Sequence, residues 1–529
     1  NDGLNAFSSL FTSARDRISG GIGKQLGAWR CHQHRSYWAI KLPHDWWIWG
    51  PDIQLEGNLD DPQRDYFDIV GDFTRPGDKI IICLAEPSWH HENYDNLHEI
   101  SMLARKKGAK ICAVLAGDWH HYSRYTNSKL GVQFITCGGG GAFAHATHQL
   151  KNTLELQWAE TTSEKTRKAD PADSLAFNRM EQGIVKETDH VDFTVKDYPL
   201  SVEPEMSIKH GSVVREGQKR EKTHSFSKEA FDLVRYLYHT PRIYPSKTRS
   251  RLLALKNLVL PFRNVRFALL VGMIYFLYAW VFQVSAPPLD VKSLVASGKS
   301  TGAEALAQVA KAFWQLISPH RVVEAVKASP LFFFLLLGLW AGLVYYVDLG
   351  KGLLNALGKL IIGTVHFLMH LTALLVINLI AFLPAALIAG IASGIASSVL
   401  ATGGPQGQSL AHDVAILVSY ATISILTGGF VGASIMGLYW TLTSTLFNMH
   451  CGDAFGALGI KDYKHFLRMR FESDKVTIYP IAIDHVPGRR GWRAATAEER
   501  SITPSQIVPK TPYEPHLIEA PIVYSVDDV

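Results

Sequence analysis

The sequence predicts a layered α/β domain, then an α-helical transmembrane bundle, then a C-terminal β-hairpin. Continuous apolar, strand-like runs alternate with helical patterns in residues 1–150, which is typical of an α/β sheet covered by helices. Long uncharged apolar segments dominate residues 266–449, and a polar, alternating pattern returns after them. With 529 residues the chain is too long for a single core, so we expect at least two domains.

The first domain, residues 1–150, contains the elements of a layered sheet. Its strand-like and helical runs are, in order, "RSYWAIKLP", "DWWIWGPDIQL", the helical "DPQRDYFDIV", "DKIIICLAE", the helical "NYDNLHEISMLARKKG", "AKICAVLAG" and "GVQFITCGGGG". Ligand sites in such sheets lie beyond the carboxyl ends of the strands. Residues 151–245 are polar and charged with few apolar runs, which predicts a linker or insertion.

Four apolar segments predict a membrane region at residues 266–449. They are Phe267–Ala286, Leu331–Val347, a region from Leu360 to about Leu400 that contains Pro384, and Val414–Phe447, which contains Gly428 and Gly429. The first is long enough to cross a hydrocarbon core of about 30 Å at about 1.5 Å per residue. Each of the last two is either one long kinked helix or two short spans, so we predict four to six helices.

Basic residues flank the apolar region on both sides. Six lie in 246–266 and four more follow the last span: Lys247, Arg249, Arg251, Lys256, Arg263 and Arg266, then Lys461, Lys464, Arg468 and Arg470. The positive-inside rule therefore predicts an integral protein of the plasma or inner membrane, with cytoplasmic soluble domains and an even number of spans. Residues 246–265 are either a basic interfacial helix on anionic lipid or only a positive flank.

Three polar side chains interrupt the third apolar region. His366 and His370 lie four residues apart, and Asn378 follows two turns later on the same helical face. Polar groups in a span usually face the bundle interior. A proton or metal role is one interpretation, and hydrogen bonding between helices is the favoured one.

The segment after the last span, residues 450–487, predicts a hairpin. "KHFLRMRFESDKVTIYPIAI" alternates apolar and polar residues on both sides of a turn at Glu472–Lys475. We expect it to dock on the first domain or to form its membrane-proximal floor. The Pro-rich, polar residues 488–529 are predicted to be mostly disordered.

Charge and cysteine content narrow the possible functions. A net charge of +5 is small for this length and gives no nucleic-acid signature, so we expect no nucleic-acid partner. The five cysteines lack C-x-x-C spacing and three lie in strand-like runs, which favours free thiols in a reducing compartment.

A group of ionisable residues follows the buried strand "AKICAVLAG". The sequence there is "GDWHHYSRY", residues 117–125, and ten of the 22 histidines lie in residues 1–148. Carboxylate and imidazole groups are suitable ligands for Zn, Mn or Fe, and two such metals can hold a phosphoryl group and activate a water. Gly138–Gly141 could cradle a phosphate, but a tight strand-to-loop turn is the favoured interpretation.

These segments, taken in order, resemble the membrane-attached calcineurin-like metallophosphoesterases of bacteria and plants. The resemblance is carried by "RSYWAIKLP", "WWIWGPDIQL", "CLAEPSW", "AGDWHHYSRY" and "GGGGAFAHATH", and by "YPSKTRSRLLALKNL" before the first span. It implies a metallophosphoesterase-like fold, two divalent metal ions (Mn, Fe or Zn) and a phosphoester substrate. Attachment to a membrane favours a substrate at the bilayer surface, such as a lipid-linked one.

The resemblance also implies roles for particular residues. His120 matches the last metal-binding histidine of the family motif, and Asp118 stands where the family usually has histidine. The metal ligand that the family supplies after the preceding strand is assigned here to Glu86, with His90 or His91 as alternatives. His121 and Arg124 have no counterpart in the short motif, and we take them as candidate catalytic residues. Arg124 would either clamp a phosphate oxygen or form an ordinary salt bridge.

The chain departs from the family at its start. The motifs D-x-H, G-D-x-x-D and G-N-H-D/E, which supply most metal ligands in the family, do not occur in that order. We therefore expect a fragment of a working hydrolase, or a truncated pseudo-enzyme, with an incomplete dinuclear site. The alternative function is a membrane transporter or sensor whose phosphoesterase-like domain is inactive and regulatory.

Overall fold

The chain divides into two units in a computed structural model. Unit 1 comprises Asn1–Lys247 and Lys461–Val529, and unit 2 comprises Thr248–Ile460. The structure describes residues 35–53, 59–90, 95–127, 131–161, 231–287, 318–350, 352–399, 405–502 and 505–525, with short strand pairs at 25–26 with 29–30 and 193–194 with 209–210.

In the described part of unit 1, eight strands form one mixed sheet. They are β1 (Trp38–Leu42), β2 (Trp46–Gly50), β3 (Lys79–Leu84), β4 (Lys110–Ala116), β5 (Tyr122–Thr126), β6 (Gln133–Cys137), β7 (Thr153–Thr161) and β8 (Phe231–Tyr244). The spatial order is β1-β2-β3-β4-β6-β5-β8-β7. Neighbours from β2 to β6 in this order are parallel, and the remaining pairs are antiparallel. The predicted layered sheet is confirmed.

The last two strands of this sheet lie in the segment 151–245, which the sequence predicted to be a linker or insertion. β7 and β8 pair over nine residues, from Thr153 with His239 to Thr161 with Phe231. Leu154, Leu156 and Tyr238 are buried at every second position, as expected for strands with one face on a core. These two strands thus extend the large sheet within the segment predicted as a linker or insertion, and alternate burial needs only half of their residues to be apolar.

Two helices cover one face of the sheet. They are α1 (Asp61–Asp72), whose first turn is capped by the side chain of Asp60, and α2 (Asp95–Arg105). Trp47 and Trp49 of β2 belong to the apolar core on this face, together with Phe67 of α1. Trp46, directly before Trp47, belongs to a different core, because successive side chains of a strand point to opposite faces.

The C-terminal part of unit 1 packs on the opposite face of the sheet. Its strands are β9 (Lys464–Phe471), β10 (Lys475–Ile483), β11 (Trp492–Ala494), β12 (Ile507–Pro509), β13 (His516–Leu517) and β14 (Ile522–Ser525). β9 and β10 form the predicted hairpin, and β13 and β14 pair with β10. Trp46 and Tyr122 of the large sheet share an apolar core with Val476, Ile522 and Tyr524. The hairpin therefore docks on the first domain, which was one of the two placements expected from the sequence.

The C-terminal tail also differs from the prediction. Residues 488–529 were expected to be mostly disordered, yet four of the strands and a short helix, Ala497–Ile502, lie there. Ile518, Ile522 and Tyr524 are buried. These few apolar residues become ordered by docking on the neighbouring sheet, and that contribution cannot be read from local composition.

Unit 2 is helical in the part that the structure describes. Its helices are α3 (Lys247–Ala254, which begins at the unit boundary), α4 (Leu260–Arg263), α5 (Val265–Ser285), α6 (Pro319–Ala328), α7 (Pro330–Tyr346), α8 (Leu353–Val399), α9 (Pro405–Leu446) and α10 (Cys451–Leu458). α8 has 47 residues and continues through Pro384, and α9 has 42. Each of the last two apolar regions is thus one long helix.

Three of these helices are long and apolar enough to cross a membrane. The candidate spans among the described residues are Val265–Ser285, Leu353–Ala392 and His412–Leu446, and the pair α6 and α7, bent by 118°, would be a fourth if counted as one. Neither long region is divided in two, and the total of four to six spans stays a prediction because only the described residues enter this count.

The segment 246–265 forms helical turns with apolar side chains on the outside. A 3₁₀ helix, Leu255–Val259, joins α3 to α4. Leu252, Leu258 and Phe262 are at least half exposed, whereas Leu253 and Leu260 are buried. Exposed apolar side chains beside arginines are typical of a helix at the headgroup boundary of a bilayer. A segment that is only a positive flank does not need them. The interfacial helix stays a prediction that these exposures favour.

Candidate functional site

The candidate site lies in the loops at the carboxyl ends of the parallel strands. Asp52 follows β2, Glu86 follows β3, residues 117–121 follow β4, and Gly138–Gly141 follow β6. The loops after β3 and β4 touch, since a Cβ atom placed on Gly117 would lie 3.4 Å from the carbonyl oxygen of Ala85. Sequence reasoning had left out Asp52, whose amide nitrogen and carbonyl oxygen bond the side chain of Gln63.

The turn after β4 is tight and separates two ionisable side chains. Asp118 has a φ angle of 54°, in the left-handed region that non-glycine residues rarely adopt. Backbone hydrogen bonds of 2.6 Å join the Trp119 amide to the Gly117 carbonyl and the His121 amide to the Trp119 carbonyl. As a result the Asp118 side chain is exposed to solvent, while His121 is fully buried. Backbone strain of this kind is often found at functional sites.

His120 and His145 form a stacked pair in this turn. Their ring centroids are 4.3 Å apart with planes at 28°. The amide of His120 donates to Nδ1 of His145 at 3.2 Å, and the amide of His145 donates to the carbonyl oxygen of His120 at 3.1 Å. Nδ1 of His120 is buried and makes no hydrogen bond with the described residues. This nitrogen remains available to a ligand.

His121 lies at the centre of the histidines. Its Nε2 is 3.3 Å from Oγ of Ser123, and its Nδ1 is buried without a partner among the described residues. The pKa of His121 is lowered well below its usual value by burial, and further by the nearby His90, His465, His145 and His120. His121 is therefore neutral at physiological pH. We call these five residues the histidine cluster.

The histidine cluster includes a residue that sequence reasoning missed. His465 belongs to β9, more than 300 positions after His121, and is buried. Its Nδ1 lies 3.0 Å from the carbonyl oxygen of Tyr463, which fits an N–H donor at Nδ1 and leaves Nε2 unprotonated. Its pKa is lowered by burial. The only signal in the sequence was a histidine on the inward-facing side of the predicted hairpin.

The glycine run Gly138–Gly141 packs against the histidine cluster. A Cβ atom on Gly138 would lie 2.3 Å from the carbonyl oxygen of Trp119, one on Gly139 2.4 Å from the His465 ring, and one on Gly141 2.1 Å from the His120 ring. The run is therefore a close-packed turn, as favoured from the sequence. His90 stacks on Trp119 with centroids 4.9 Å apart, whereas the alternative His91 lies outside the described residues.

Two predicted site residues have other surroundings. Nε and Nη2 of Arg124 bond both carboxylate oxygens of Glu519, at 3.0 and 2.5 Å, and Nη1 bonds Gln133 at 3.1 Å. These are the contacts of the salt-bridge alternative. Glu86 is partly buried in the loop after β3. The structure thus brings Asp118, His120 and His121 together in one turn and engages Arg124 elsewhere.

The donor atoms of the turn fit a transition metal in kind but not in number. Neutral imidazoles with unpartnered nitrogens, close to an exposed carboxylate, are suitable ligands. Among the described residues, however, no three histidine, cysteine, aspartate or glutamate side chains are placed to hold one ion together. The described residues therefore do not complete the two-metal site that the resemblance implies.

The cluster predicts that unit 1 loses stability in acid. Burial lowers the pKa of His145 from 6.5 to about 4, and the pKa values of His121 and His465 fall in the same direction. Unfolded histidines take up protons below about pH 6.5 that the folded ones do not, so stability is complete above that pH and decreases toward pH 4. We expect the melting temperature, followed by tryptophan fluorescence, to fall by several degrees from pH 7 to pH 5.

A variant separates this effect from general acid denaturation. H145Q removes one titrating group and should reduce the difference between the two melting temperatures. An equal difference in H145Q and in the unchanged protein would contradict the assignment to His145.

Comparison of the chain with family models, curated proteins and solved structures finds no match.

Proposed function

We propose that the protein is a membrane-anchored, metal-dependent phosphoester hydrolase, either a phosphatase or a phosphodiesterase. The observation that carries the proposal is the strained turn Asp118–His121 at the carboxyl ends of parallel strands, with two unpartnered imidazole nitrogens. The proposed metal ligands are Asp118 and His120 in the loop after β4, together with Glu86 in the loop after β3. Further ligands must complete the set, because the described residues do not.

Each side chain has a distinct part in this proposal. Divalent Mn, Fe or Zn, when bound, would supply a water acidic enough to act as a nucleophile. His120 contributes its buried Nδ1, which makes no hydrogen bond with the described residues, and His145 fixes the orientation of the His120 ring by stacking. The Asp118 side chain is exposed, so its carboxylate is accessible to a metal ion. Catalytic roles for His121 and Arg124 stay predictions, since one is fully buried and the other pairs with Glu519.

Anchoring in a membrane is supported by the helices of unit 2 and by the order of the units along the chain. Unit 1 contains segments from before and after unit 2. Both segments must then lie on one side of any membrane, which requires an even number of crossings. Of the three or four candidate spans among the described helices, four satisfies this condition. We propose a phosphoester substrate at the membrane surface, such as a lipid-linked one, and a cytoplasmic location for unit 1.

Metal content and hydrolysis test the proposal together. The full chain, purified in detergent, would be assayed on p-nitrophenyl phosphate and bis(p-nitrophenyl) phosphate with Mn²⁺, Fe²⁺ or Zn²⁺. We expect H120A and D118N to lose bound metal and to lower activity by roughly 100-fold or more, since even outer partners of ligands are worth 10–100-fold. H320A, which removes an 81% exposed imidazole from unit 2, is the control and should change neither.

The outcome that would end the proposal is equally concrete. It fails if the unchanged protein hydrolyses neither ester with any of these metals and H120A binds as much metal as the unchanged protein does.

The second candidate function is a transporter or sensor with an inactive phosphoesterase-like domain. It is favoured by polar side chains that are bonded to one another inside unit 2, and it does not depend on the histidine cluster.

A further inference from the structure

A pair of histidines lies inside the helical unit with its nitrogens facing each other. Nε2 of His366 and Nε2 of His370, both on α8, are 3.1 Å apart. At that distance only one of the two nitrogens carries the proton, and the other accepts it. Nδ1 of His370 is 2.7 Å from the hydroxyl of Tyr275 on α5. His366 is 1% exposed.

These three side chains have two equivalent arrangements of their protons. In one, Tyr275 donates to Nδ1 of His370, Nε2–H of His370 donates to His366, and His366 carries a proton on Nδ1. In the other, every donor and acceptor is reversed. Conversion from the second arrangement to the first takes up one proton at Nδ1 of His366, moves two along the hydrogen bonds and releases one from the Tyr275 hydroxyl. Nδ1 of His366 makes no hydrogen bond with the described residues, so the incoming proton crosses one gap there. No side chain changes its charge, so the exchange moves one proton without leaving an ion in an apolar interior.

A second group of polar side chains lies between this pair and one end of unit 2, and it meets His366 through a ring contact rather than a hydrogen bond. The ring of Tyr439 on α9 stacks on His366, with centroids 4.1 Å apart and planes at 14°. Its hydroxyl lies 3.0 Å from Nε2 of the buried His450. His450 is in turn 3.5 Å from the carboxylate of Asp453, and its amide donates to Asp348 at 3.2 Å.

Both of these aspartates are exposed, and each lies a few residues beyond the end of a long helix. Asp348 follows α7, and Asp453 lies in α10 just after α9. Tyr346 joins the group, because its hydroxyl donates to Asp453 at 2.8 Å and accepts from Nε1 of Trp440 at 2.8 Å. The carboxylates can therefore exchange protons with solvent and pass them to His450.

The polar line continues two turns farther along the same two helices. Gln283 lies eight residues after Tyr275 on α5, and Asn378 lies eight after His370 on α8, so each pair shares a helical face about 12 Å apart. The Asn378 amide is 3.4 Å from Gln283, and Tyr420 of α9 donates to Asn378 at 2.6 Å.

Only one apolar layer separates the two levels of polar residues. Ala279 and Leu374, each four residues beyond Tyr275 and His370, are buried members of the same apolar cluster. This buried layer is therefore the place where the polar line is interrupted by apolar side chains. The polar residues face the interior of the bundle, where ionisable groups in a membrane mark pathways for ions and protons.

We propose that unit 2 conducts protons along this line, from Asp348 and Asp453 through His450, Tyr439 and the His366–His370 pair toward Asn378. The inference deepens the second candidate function and is independent of phosphoester hydrolysis. It assigns the proton as the transported ion and the layer at Ala279 as the slow step.

Proton flux into vesicles tests the proposal directly. The full chain would be reconstituted in phosphatidylcholine vesicles containing anionic lipid and loaded with the pH indicator pyranine, and a potassium gradient with valinomycin would drive protons inward. We expect flux above that of protein-free vesicles, reduced roughly tenfold by H366Q or Y439F, because either change breaks one link of the buried line. Glutamine keeps hydrogen bonding but cannot take up a proton.

A matched tyrosine provides the control. Y278F also removes a hydroxyl from α5, and this hydroxyl donates to the carbonyl oxygen of Leu335, which is not part of the line. Its flux should equal that of the unchanged protein. A279F should lower flux by filling the apolar layer. Circular dichroism would show that each variant keeps its helices, and H370Q replaces any variant that does not.

Two results would overturn the proposal. One is flux no greater than in protein-free vesicles, and the other is flux that H366Q, H370Q and Y439F leave unchanged. Hydrolysis measured on the same preparations distinguishes the two functions, since all of the substituted residues belong to unit 2.

Discussion

Gly139→Ala is expected to destabilise unit 1 by about 1–3 kcal/mol or more, the usual cost of inserting a methyl group into a packed interior. The added Cβ would lie 2.4 Å from the His465 ring and equally close to the His465 carbonyl oxygen. The backbone contact cannot be relieved by rotating a side chain. β9 would have to move and take His465 away from the other four residues of the histidine cluster. The substitution should therefore also impair any activity of the site.

The neighbouring glycine gives the control for this prediction. A Cβ atom on Gly140 would meet nothing within 4 Å, and Gly140 is exposed to solvent. Thermal unfolding of G139A, G140A and the unchanged protein measures the difference. If G140A costs as much as G139A, the loss comes from backbone freedom in the glycine run and not from contact with His465.

Arg124→Ala should have the other large effect, about 3 kcal/mol, because it leaves the buried carboxylate of Glu519 without its cation. The side chains of Arg124 and Glu519 are only 15% and 12% exposed, and two guanidinium nitrogens bond the carboxylate. The Tyr122 hydroxyl donates to the same carboxylate at 2.5 Å. The pair fastens the segment before β14 to the large sheet.

A double-mutant cycle measures this pair. R124A and E519A should each be destabilising, and R124A/E519A should cost less than the sum of the two. The exposed pair Arg493–Glu499 is the control, and R493A should change the stability little because solvent screens an exposed pair. If R124A instead keeps full stability but loses hydrolysis, the phosphate-clamp interpretation of Arg124 is the correct one.

Local pattern sufficed for the elements that the sequence predicted well. Strand β4 and its turn, the hairpin β9–β10 and the long apolar helices each have a periodicity that one segment carries by itself. Contacts distant in sequence are a different matter. Nothing near residue 121 indicates that His465 lies beside it, and nothing near Arg124 indicates Glu519 as its partner, 395 residues away.

Order that arises from docking was also missed. β7 and β8 lie in a segment whose average composition is polar, so the segment resembled a linker, although the two strands pair with each other residue by residue. The tail beyond residue 488 has the composition of a disordered segment, but Ile518, Ile522 and Tyr524 are held by a core that other parts of the chain build.

The two-part construction of unit 1 has a consequence for how the protein is made. A ribosome completes the large sheet and then more than two hundred residues of unit 2 before it reaches the strands that cover Trp46, Tyr122 and Ile135. Throughout that interval the nascent sheet presents an uncovered aromatic face. The final strands close this face only after the helices have been synthesised, so a chaperone that shields aromatic surface should associate with the growing chain until Tyr524 emerges.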